Sequence, residues 1–411
     1  MADSKVQPEL VELSDDFPFT GDVSGTVADG SITDVKVSDM AASKLTGALP
    51  ALSGAALTNL PASYTKSAND PATNTNPSAV GALWVNQVSG ETYVCTDATT
   101  DANVWYNVGG GSGDVHSYTG FQGTTYGYAF HGGPAPATGS VESYSYTSDT
   151  GGTHIGNMTQ ARRNYGACTS TTHGYFLAGD TTKTIDRFNF VGTFVSADVG
   201  DLRYAKNVSI GSSSELNGYS HADGPNMSTI DKISFASATT DGVPHGDLSL
   251  GRNNAATAQD LSYSFMAGGH PYSNVIDKFA HSSNVTGTQV GTLRVAVNQN
   301  LGCCDTTYGY SLSAYTALTS PGVYATNDID RYSFAQSSGQ AVGHGELNTA
   351  QSYGGSTSSS TTHGYLAGGN KVWSASREIT KMSFASNVTM TRTGDLAKIG
   401  GLDYAGQGCN F

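Results

Sequence analysis

Charged side chains are scarce in this sequence, making up 13% of 411 residues, about half the usual share of a globular protein. Basic residues are scarcer than acidic ones, 20 against 34, for a net charge of −14. A field of that sign repels phosphate, which argues against a nucleic-acid binder that grips the backbone and against a polybasic membrane-surface protein. No run approaches the roughly 18 apolar residues of a spanning helix, and the opening Met-Ala-Asp-Ser-Lys-Val-Gln-Pro lacks the apolar stretch of a secretory signal. A soluble chain without membrane insertion is expected. The five cysteines (Cys95, Cys168, Cys303, Cys304, Cys409) are scattered, odd in number and without a CxxC pair. Neither a disulfide framework nor a zinc ribbon is indicated, and free thiols of a reducing cytoplasm are expected.

What the chain has in abundance is glycine, 51 residues, together with Ser, Thr and aromatics, the mixture of short strands joined by tight turns. Six segments vary one pattern, Ile-Asp-basic-aromatic-Ser-Phe: VESYSY, IDRFNF, IDKISF, IDKFAH, IDRYSF and ITKMSF, beginning at Val141, Ile185, Ile230, Ile276, Ile329 and Ile379. Each follows a Gly/Tyr strand such as HGYFLAGD (His173 to Asp180) or HGYLAGG (His363 to Gly369). Each precedes a Gly-x-Leu element such as VGDL (Val199 to Leu202) or HGEL (His344 to Leu347), with HIGNM in the first copy. A fourth element of small residues, NYGACTS (Asn164 to Ser170) or SYGGSTS (Ser352 to Ser358), suits a crowded inner strand. Four short strands in a unit of about 45 to 50 residues match a β-propeller blade, and closing the ring removes exposed edges. The expected fold is all-β: a six-bladed propeller over residues 115 to 411. Two segments, SYTGFQG (Ser117 to Gly123) and DYAGQGC (Asp403 to Cys409), compete for the sixth inner strand, and either terminus could close the ring.

The first 108 residues differ in kind. Residues 19 to 61 space single apolar residues among Gly, Ala, Ser and Thr, too few for a core of their own, so residues 1 to 70 are expected to form an extended arm that needs partners. A small β-module is expected over residues 71 to 108, with strands LWVN, ETYVCTD and VWY and a turn at Ser89-Gly90. A Gly-rich linker, residues 109 to 114, follows.

The segments LTGALPALSGAALTNLP (Leu45 to Pro61) and ALWVNQVSGETYVCTD (Ala82 to Asp97) resemble pieces reused in tail-fibre and related virion proteins of tailed bacteriophages, especially marine and cyanobacterial ones. HGYFLAGD, IDRFNF and VGDL resemble the kelch-type repeats of such proteins, although only Trp373 of the three tryptophans lies in the repeat region, where kelch blades usually carry one each. The resemblance implies a virion tail appendage assembled in the host cytoplasm. It further implies a homo-oligomer, expected to be a trimer, with the N-terminal arm docked to other tail or baseplate proteins and the propeller presented outward.

No catalytic constellation emerges. The repeated acids Glu142, Asp186, Asp231, Asp277 and Asp330 and the basics Arg187, Lys232, Lys278, Arg331 and Lys381 recur at one phase each. Repetition in nearly every copy points to structural hydrogen bonds between blades. The histidines lack metal-ligand spacing, so neither a metal nor a cofactor is expected. Off-phase acids (Glu215, Asp223, Asp260, Asp305, Glu378) do not pair into a hydrolase site from sequence, which leaves a glycan-active enzyme as one alternative. Loops between second and third strands and between blades share one face of such a disc. They bring Tyr272, Tyr315, Tyr324 and Trp373 together with Arg162, Arg163, Arg203, Arg252 and Arg294. Aromatic platforms with Arg donors suit a polar, ring-shaped ligand such as a host-surface glycan, and a non-enzymatic receptor-binding fibre is the expected function. The alternative for the same residues is loop packing or contact with neighbouring subunits, in an architectural tail, baseplate or capsid protein.

Overall fold

The computed structural model describes residues 64–108, 122–131, 139–221, 227–316, 325–351, 354–371, 374–397 and 409–410. Most of the expected arm, the linker, Tyr324 and Trp373 lie outside the described residues. Among the described residues every element is a strand.

The N-terminal sheet runs β1 (Thr65–Ser67), β2 (Leu83–Asn86), β3 (Thr92–Asp97) and β4 (Val104–Asn107), with β1 parallel to β2. It includes Thr65–Ser67, upstream of the boundary expected at residue 71. Alternation decides its core: Tyr93, Cys95 and Trp105 are buried on one face, and Trp84 meets Trp105 edge-on at 5.9 Å.

The repeats form four-stranded antiparallel sheets in chain order. The first contains β5 (Tyr126–His131), β6 (Ser140–Ser145) and β7 (Thr153–Asn157), and the second β8 (Gly166–Thr169), β9 (His173–Gly179), β10 (Thr182–Asn189) and β11 (Ser196–Lys206). The third is β12 (Ile210–Ser213), β13 (Asn217–His221), β14 (Thr229–Ser234) and β15 (Val243–Asp247). The fourth is β16 (Ala256–Gln259), β17 (Tyr263–Ala267), β18 (Ser273–Ala280) and β19 (Thr288–Asn298), and the fifth β20 (Leu301–Cys304), β21 (Tyr308–Thr316), β22 (Ala325–Ser333) and β23 (Val342–Gln351). The sixth contains β24 (Ser356–Ser359) and β25 (His363–Ala367), then a small hairpin of β26 (Asn370–Lys371) and β27 (Ser374–Ala375), then β28 (Glu378–Ser383) and β29 (Thr391–Asp395). Finally β30 (Cys409–Asn410) pairs with β5, so the C-terminal candidate supplies the first sheet's innermost strand. Of its N-terminal rival only Gln122 and Gly123 are described, and Gly123 bridges Ser360 in parallel. The architecture is propeller-like.

Each pair of successive sheets encloses one apolar cluster. Phe130 and Val141 meet Phe176 and Phe188 between the first and second sheets, and Leu177 and Ile185 meet Ile233 between the second and third. Tyr219 and Ile230 meet Met266 and Phe279 at the next seam, Phe265 and Ile276 meet Tyr332 at the one after, and Tyr310 and Ile329 meet Leu366 and Met382 beyond that. Ala129 and Tyr144 meet Tyr365, Ile379 and Leu396, which joins the sixth sheet to the first. The third-strand pattern follows from this layering. Ile185 faces the following sheet, whereas Asp186 and Phe188, together on the other side of the same strand, serve the preceding one.

The Gly-x-Leu element is the clasp between sheets. The carbonyl of its middle residue accepts a hydrogen bond from the next sheet's outer turn: Gly242 N–H on Asp201 at 2.8 Å, Gly287 on Asp247 at 2.7 Å, Ala341 on Thr292 at 2.8 Å, Met390 on Glu346 at 2.8 Å and Gly152 on Asp395 at 2.9 Å. Because the middle residue works through its backbone, Asp, Thr and Glu serve equally. The leucine is buried in each of the five copies that carry it, as is Met158 in the first, and at Gly345 (φ 82°) a Cβ would collide with the Val388 carbonyl across the seam.

Inner strands approach so closely that only small residues fit. A Cβ on Gly211 would strike the Ala167 carbonyl, and one on Gly302 the Thr257 carbonyl. Hydroxyls replace apolar contact there: Thr257 Oγ1 donates to the Gly211 carbonyl at 2.9 Å, and Ser359 Oγ accepts from Cys304 N–H at 3.0 Å. Cys303 and Cys304 are buried, and burial pushes both thiols up, Cys304 to about 12, far from nucleophilic range.

Candidate functional site

The geometry of the candidate face follows from what the repeated charges do. In four seams a basic side chain, one or four residues after the clasp Leu or Met, turns inward onto the repeated aspartate of the following sheet. Arg162 meets Asp186 at 3.1 Å, and Arg252 meets Asp277 at 3.1 Å, all four side chains essentially inaccessible to solvent. Arg162 Nη2 also donates to the Phe176 and Thr184 carbonyls, and Arg252 Nη2 to the Met266 carbonyl, whereas the Nε atoms of both have no hydrogen-bond partner among the described residues. Burial pushes the Asp186 carboxyl up and the Arg162 guanidinium down, opposed by the pairing itself and by the Thr159 hydroxyl. Arg203 pairs with Asp231, which buried Lys206 also approaches at 3.8 Å, and Arg294 pairs with Asp330 at 2.5 Å and with Asp328 at 3.1 Å.

The expected arginine cluster is therefore corrected. Arg162 and Arg252 are buried ties between sheets and are unavailable to a ligand. Arg203 and Arg294 are partly exposed but engaged in ion pairs, and Arg163 holds Asp180 at 3.4 Å beside the tight β9–β10 turn. Tyr315 is corrected as well: it sits within β21 opposite Asn298 of β19, in the stretch that fuses the fourth and fifth sheets. Strand length explains this, since β19 and β21 run past their own sheets and pair with each other. Tyr272 is placed as expected, 42% exposed in the β17–β18 connection with φ 132°. Tyr324 and Trp373 fall outside the described residues.

The first and sixth copies break the pattern in different ways. In the first, Glu142 occupies the acid phase and accepts the Ala397 N–H at 2.7 Å. In the sixth, Thr380 stands at the aspartate phase, buried, its hydroxyl donating to the Leu366 carbonyl at 3.3 Å. Asn348 takes the place held elsewhere by Arg203 and Arg294, and its amide donates to Glu378 Oε2 at 3.1 Å. Where the inward ion pair is missing, basic residues appear at the surface. A groove of about 320 Å³ is lined by Lys371, Ser374, Ser376, Arg377, Glu378, Arg392 and Asp395, drawn from the β26–β27 hairpin, the start of β28 and the outer strand β29.

Two ion pairs frame this groove, Lys371 with Glu378 and Arg392 with Asp395 at 2.5 Å. Burial acts to raise the Glu378 carboxyl, but hydrogen bonds from Lys371 and Asn348 outweigh it and hold the group below the usual carboxylate range. Asp395 is lowered chiefly by the hydrogen bond from Arg392, with smaller contributions from Arg377 and Lys371. Arg377 itself is exposed and has no ion-pair partner among the described residues. The groove carries three cations against two anions in a chain of net charge −14. From sequence its connection was singled out through Trp373, and Glu378 as an unpaired acid, but Arg377, Arg392 and Asp395 were not. Among the described residues no group of His, Cys, Asp and Glu is arranged to hold a metal.

No family model matches the chain, and no curated protein matches it. Among solved structures it is similar to YjhT, with a TM-score of 0.49 and 10% sequence identity over 59% of this chain and 86% of that one.

Proposed function

We propose that the chain is a tailed-bacteriophage virion protein, a tail fibre or fibre-like appendage, whose propeller binds a glycan or other receptor on the host surface without catalysing a reaction. The six-bladed, kelch-like form of that propeller is part of the proposal. It is supported by the six apolar clusters, one at each seam including that between sixth and first sheets, and by the pairing of β30 with β5. The phage assignment is supported by the segments Leu45 to Pro61 and Ala82 to Asp97.

The observation that carries the binding role is the groove of the sixth sheet. There the repeat abandons its inward ion pair and presents Arg377 at the surface in a second-to-third-strand connection, the same class of connection that exposes Tyr272. Repeat architectures stabilise themselves with what recurs, so a departure that exposes polar side chains is the place for recognition. Residues 1 to about 70 attach the protein to other virion subunits, in a homotrimer.

An architectural role inside the tail or baseplate is the second reading. It is favoured by the N-terminal sheet, where Leu83 and Tyr106 flank Val94 in register on the face opposite the core, both exposed. Retention of the full-length protein on intact marine bacterial and cyanobacterial cells, and on polysaccharide extracted from them, separates the two. Saturable retention supports receptor binding, and its absence across the panel supports the architectural role.

A further inference from the structure

We infer that the groove between the β26–β27 hairpin and β29 is a subsite for the anionic group of an acidic saccharide, with Arg377 as the residue that grips it. This rests on the receptor-binding reading and narrows it to a ligand class.

The groove differs from every other charged feature described in the molecule. At the four preceding seams the clasp-adjacent cations are consumed by the repeated aspartates, two of them beyond reach of solvent. At the sixth sheet, Thr380 and Asn348 remove that internal use. The connection from second to third strand, only Asp180 and Thr181 in the second sheet, here expands into a hairpin that brings Lys371 to one wall. The outer strand contributes Arg392, and Arg377 lines the same groove.

Two ion pairs engage the other cations of the groove. Lys371 is held by Glu378, which Asn348 fixes in turn, and Arg392 is held by Asp395 three residues on. With those cations already neutralised, the uncompensated charge of the groove belongs to Arg377. Its planar fork suits two parallel hydrogen bonds to a carboxylate or a sulfate ester, and the Ser374 hydroxyl lines the same groove for a neighbouring sugar hydroxyl. A volume of about 320 Å³ is at the lower end for small-ligand sites and fits one or two sugar rings rather than a long chain. Long-range repulsion from the acidic chain does not prevent this, because charges farther than about 8 Å are largely screened at physiological ionic strength.

The test uses the full-length protein against three probes of equal length: oligogalacturonate for carboxylate, a sulfated galactan oligosaccharide for sulfate ester, and a neutral galactan oligosaccharide. Binding is followed by calorimetry and by retention on matched polysaccharide beads. Binding of either acidic probe at least ten-fold tighter than the neutral one is expected, and whichever acidic arm binds identifies the anion. Arg377→Gln should lower that affinity about ten-fold with an unchanged melting temperature, since the side chain is exposed. Lys183→Gln, which removes an exposed cation paired with Asp201 elsewhere on the surface, should change nothing.

Equal binding of all three probes, no binding of either acidic probe, or an Arg377→Gln variant that binds as the parent does would overturn the inference. Retention on host cells that survives Arg377→Gln leaves the receptor-binding reading standing while this subsite falls. Absence of retention on any cell or polysaccharide removes the reading itself.

Discussion

The fourth and sixth sheets are built from the same repeat and use their charges oppositely. In the fourth, Arg252 and Asp277 neutralise each other inside the seam, tied further to Ser249 and the Met266 carbonyl, where water has no access. In the sixth, Thr380 needs only a backbone carbonyl, and the cations Lys371, Arg377 and Arg392 line a groove open to solvent. The comparison separates two uses of charge in a protein that has little of it. Buried pairs tie successive sheets together, whereas exposed groups are available for recognition.

The comparison breaks most severely at the buried pair. Replacing Asp277 by Ala leaves the Arg252 guanidinium enclosed without a counter-charge, and a loss of about 3–5 kcal/mol is expected, readable as a lowered urea midpoint. The double replacement Asp277→Leu with Arg252→Met should recover most of that loss, because an apolar pair avoids desolvating two ions. If the double variant is as unstable as the single one, the pair has a role that packing cannot replace.

Next in size is the clasp. Gly345→Val forces a β-branched side chain to φ 82° and drives its Cβ into the Val388 carbonyl of the sixth sheet, for which about 2–3 kcal/mol is expected. Gly339 offers the control: it has φ 117° but open space where a Cβ would sit, so Gly339→Ala should cost about 1 kcal/mol from backbone strain alone.

The seam between the third and fourth sheets adds a pH dependence that comes from buried histidines. Tyr219 stacks on His281 at 5.2 Å and lies 5.0 Å from His245, while His221 meets Phe279 edge-on at 5.0 Å and Ser212 Oγ at 2.9 Å. Burial pulls His281 down to about 4 and His221 well below its ordinary value, the latter helped by Lys206, His245, His281 and Arg252. Both are depressed relative to the unfolded chain, where histidine titrates near 6.5. Their stabilisation is therefore complete above about pH 6.5 and is lost as pH falls toward 4, with a limiting slope of about 1.4 kcal/mol per pH unit for each titrating histidine. His221→Phe should flatten the decline in melting temperature over that window, and an unchanged slope would assign the acid sensitivity elsewhere.

Much of the fold was legible because the repeat is a physical device. Ile and aromatic positions three apart on one strand had to serve different seams, and small residues at Gly211 and Gly302 had to admit a neighbouring backbone. The site was far less legible. Arg162 and Arg163 are adjacent in sequence, yet one is enclosed with Asp186 and the other sits at the surface beside Asp180, a distinction set by partners many residues away. Tyr315 read as a loop residue because nothing local announces that β21 continues far enough to pair with β19. The closing strand was undecidable for a similar reason: Ser117 to Gly123 and Asp403 to Cys409 are both small-residue segments, and only the pairing of Cys409 with Tyr128 distinguishes them.

The smallest expected effect gives the sharpest version of the comparison, because it attempts to convert the sixth sheet into the fourth. Thr380→Asp alone places a carboxylate in a buried site where the present hydroxyl meets the Leu366 carbonyl and the Met390 sulfur, neither of which can donate to it, and it should destabilise the protein. Adding Asn348→Arg supplies a cation at the position from which Arg203 and Arg294 reach Asp231 and Asp330. If the seams are interchangeable, the pair should restore stability to within about 1 kcal/mol of the parent, since a buried ion pair roughly balances its own desolvation. Asn348→Arg also withdraws the amide that orients Glu378, which frees Lys371 to shift. A double variant that regains its melting temperature but loses acidic-saccharide binding would show that the sixth sheet exchanged an internal ion pair for an external site. One that regains stability and binds as before would show that the groove depends on Arg377 and the hairpin alone.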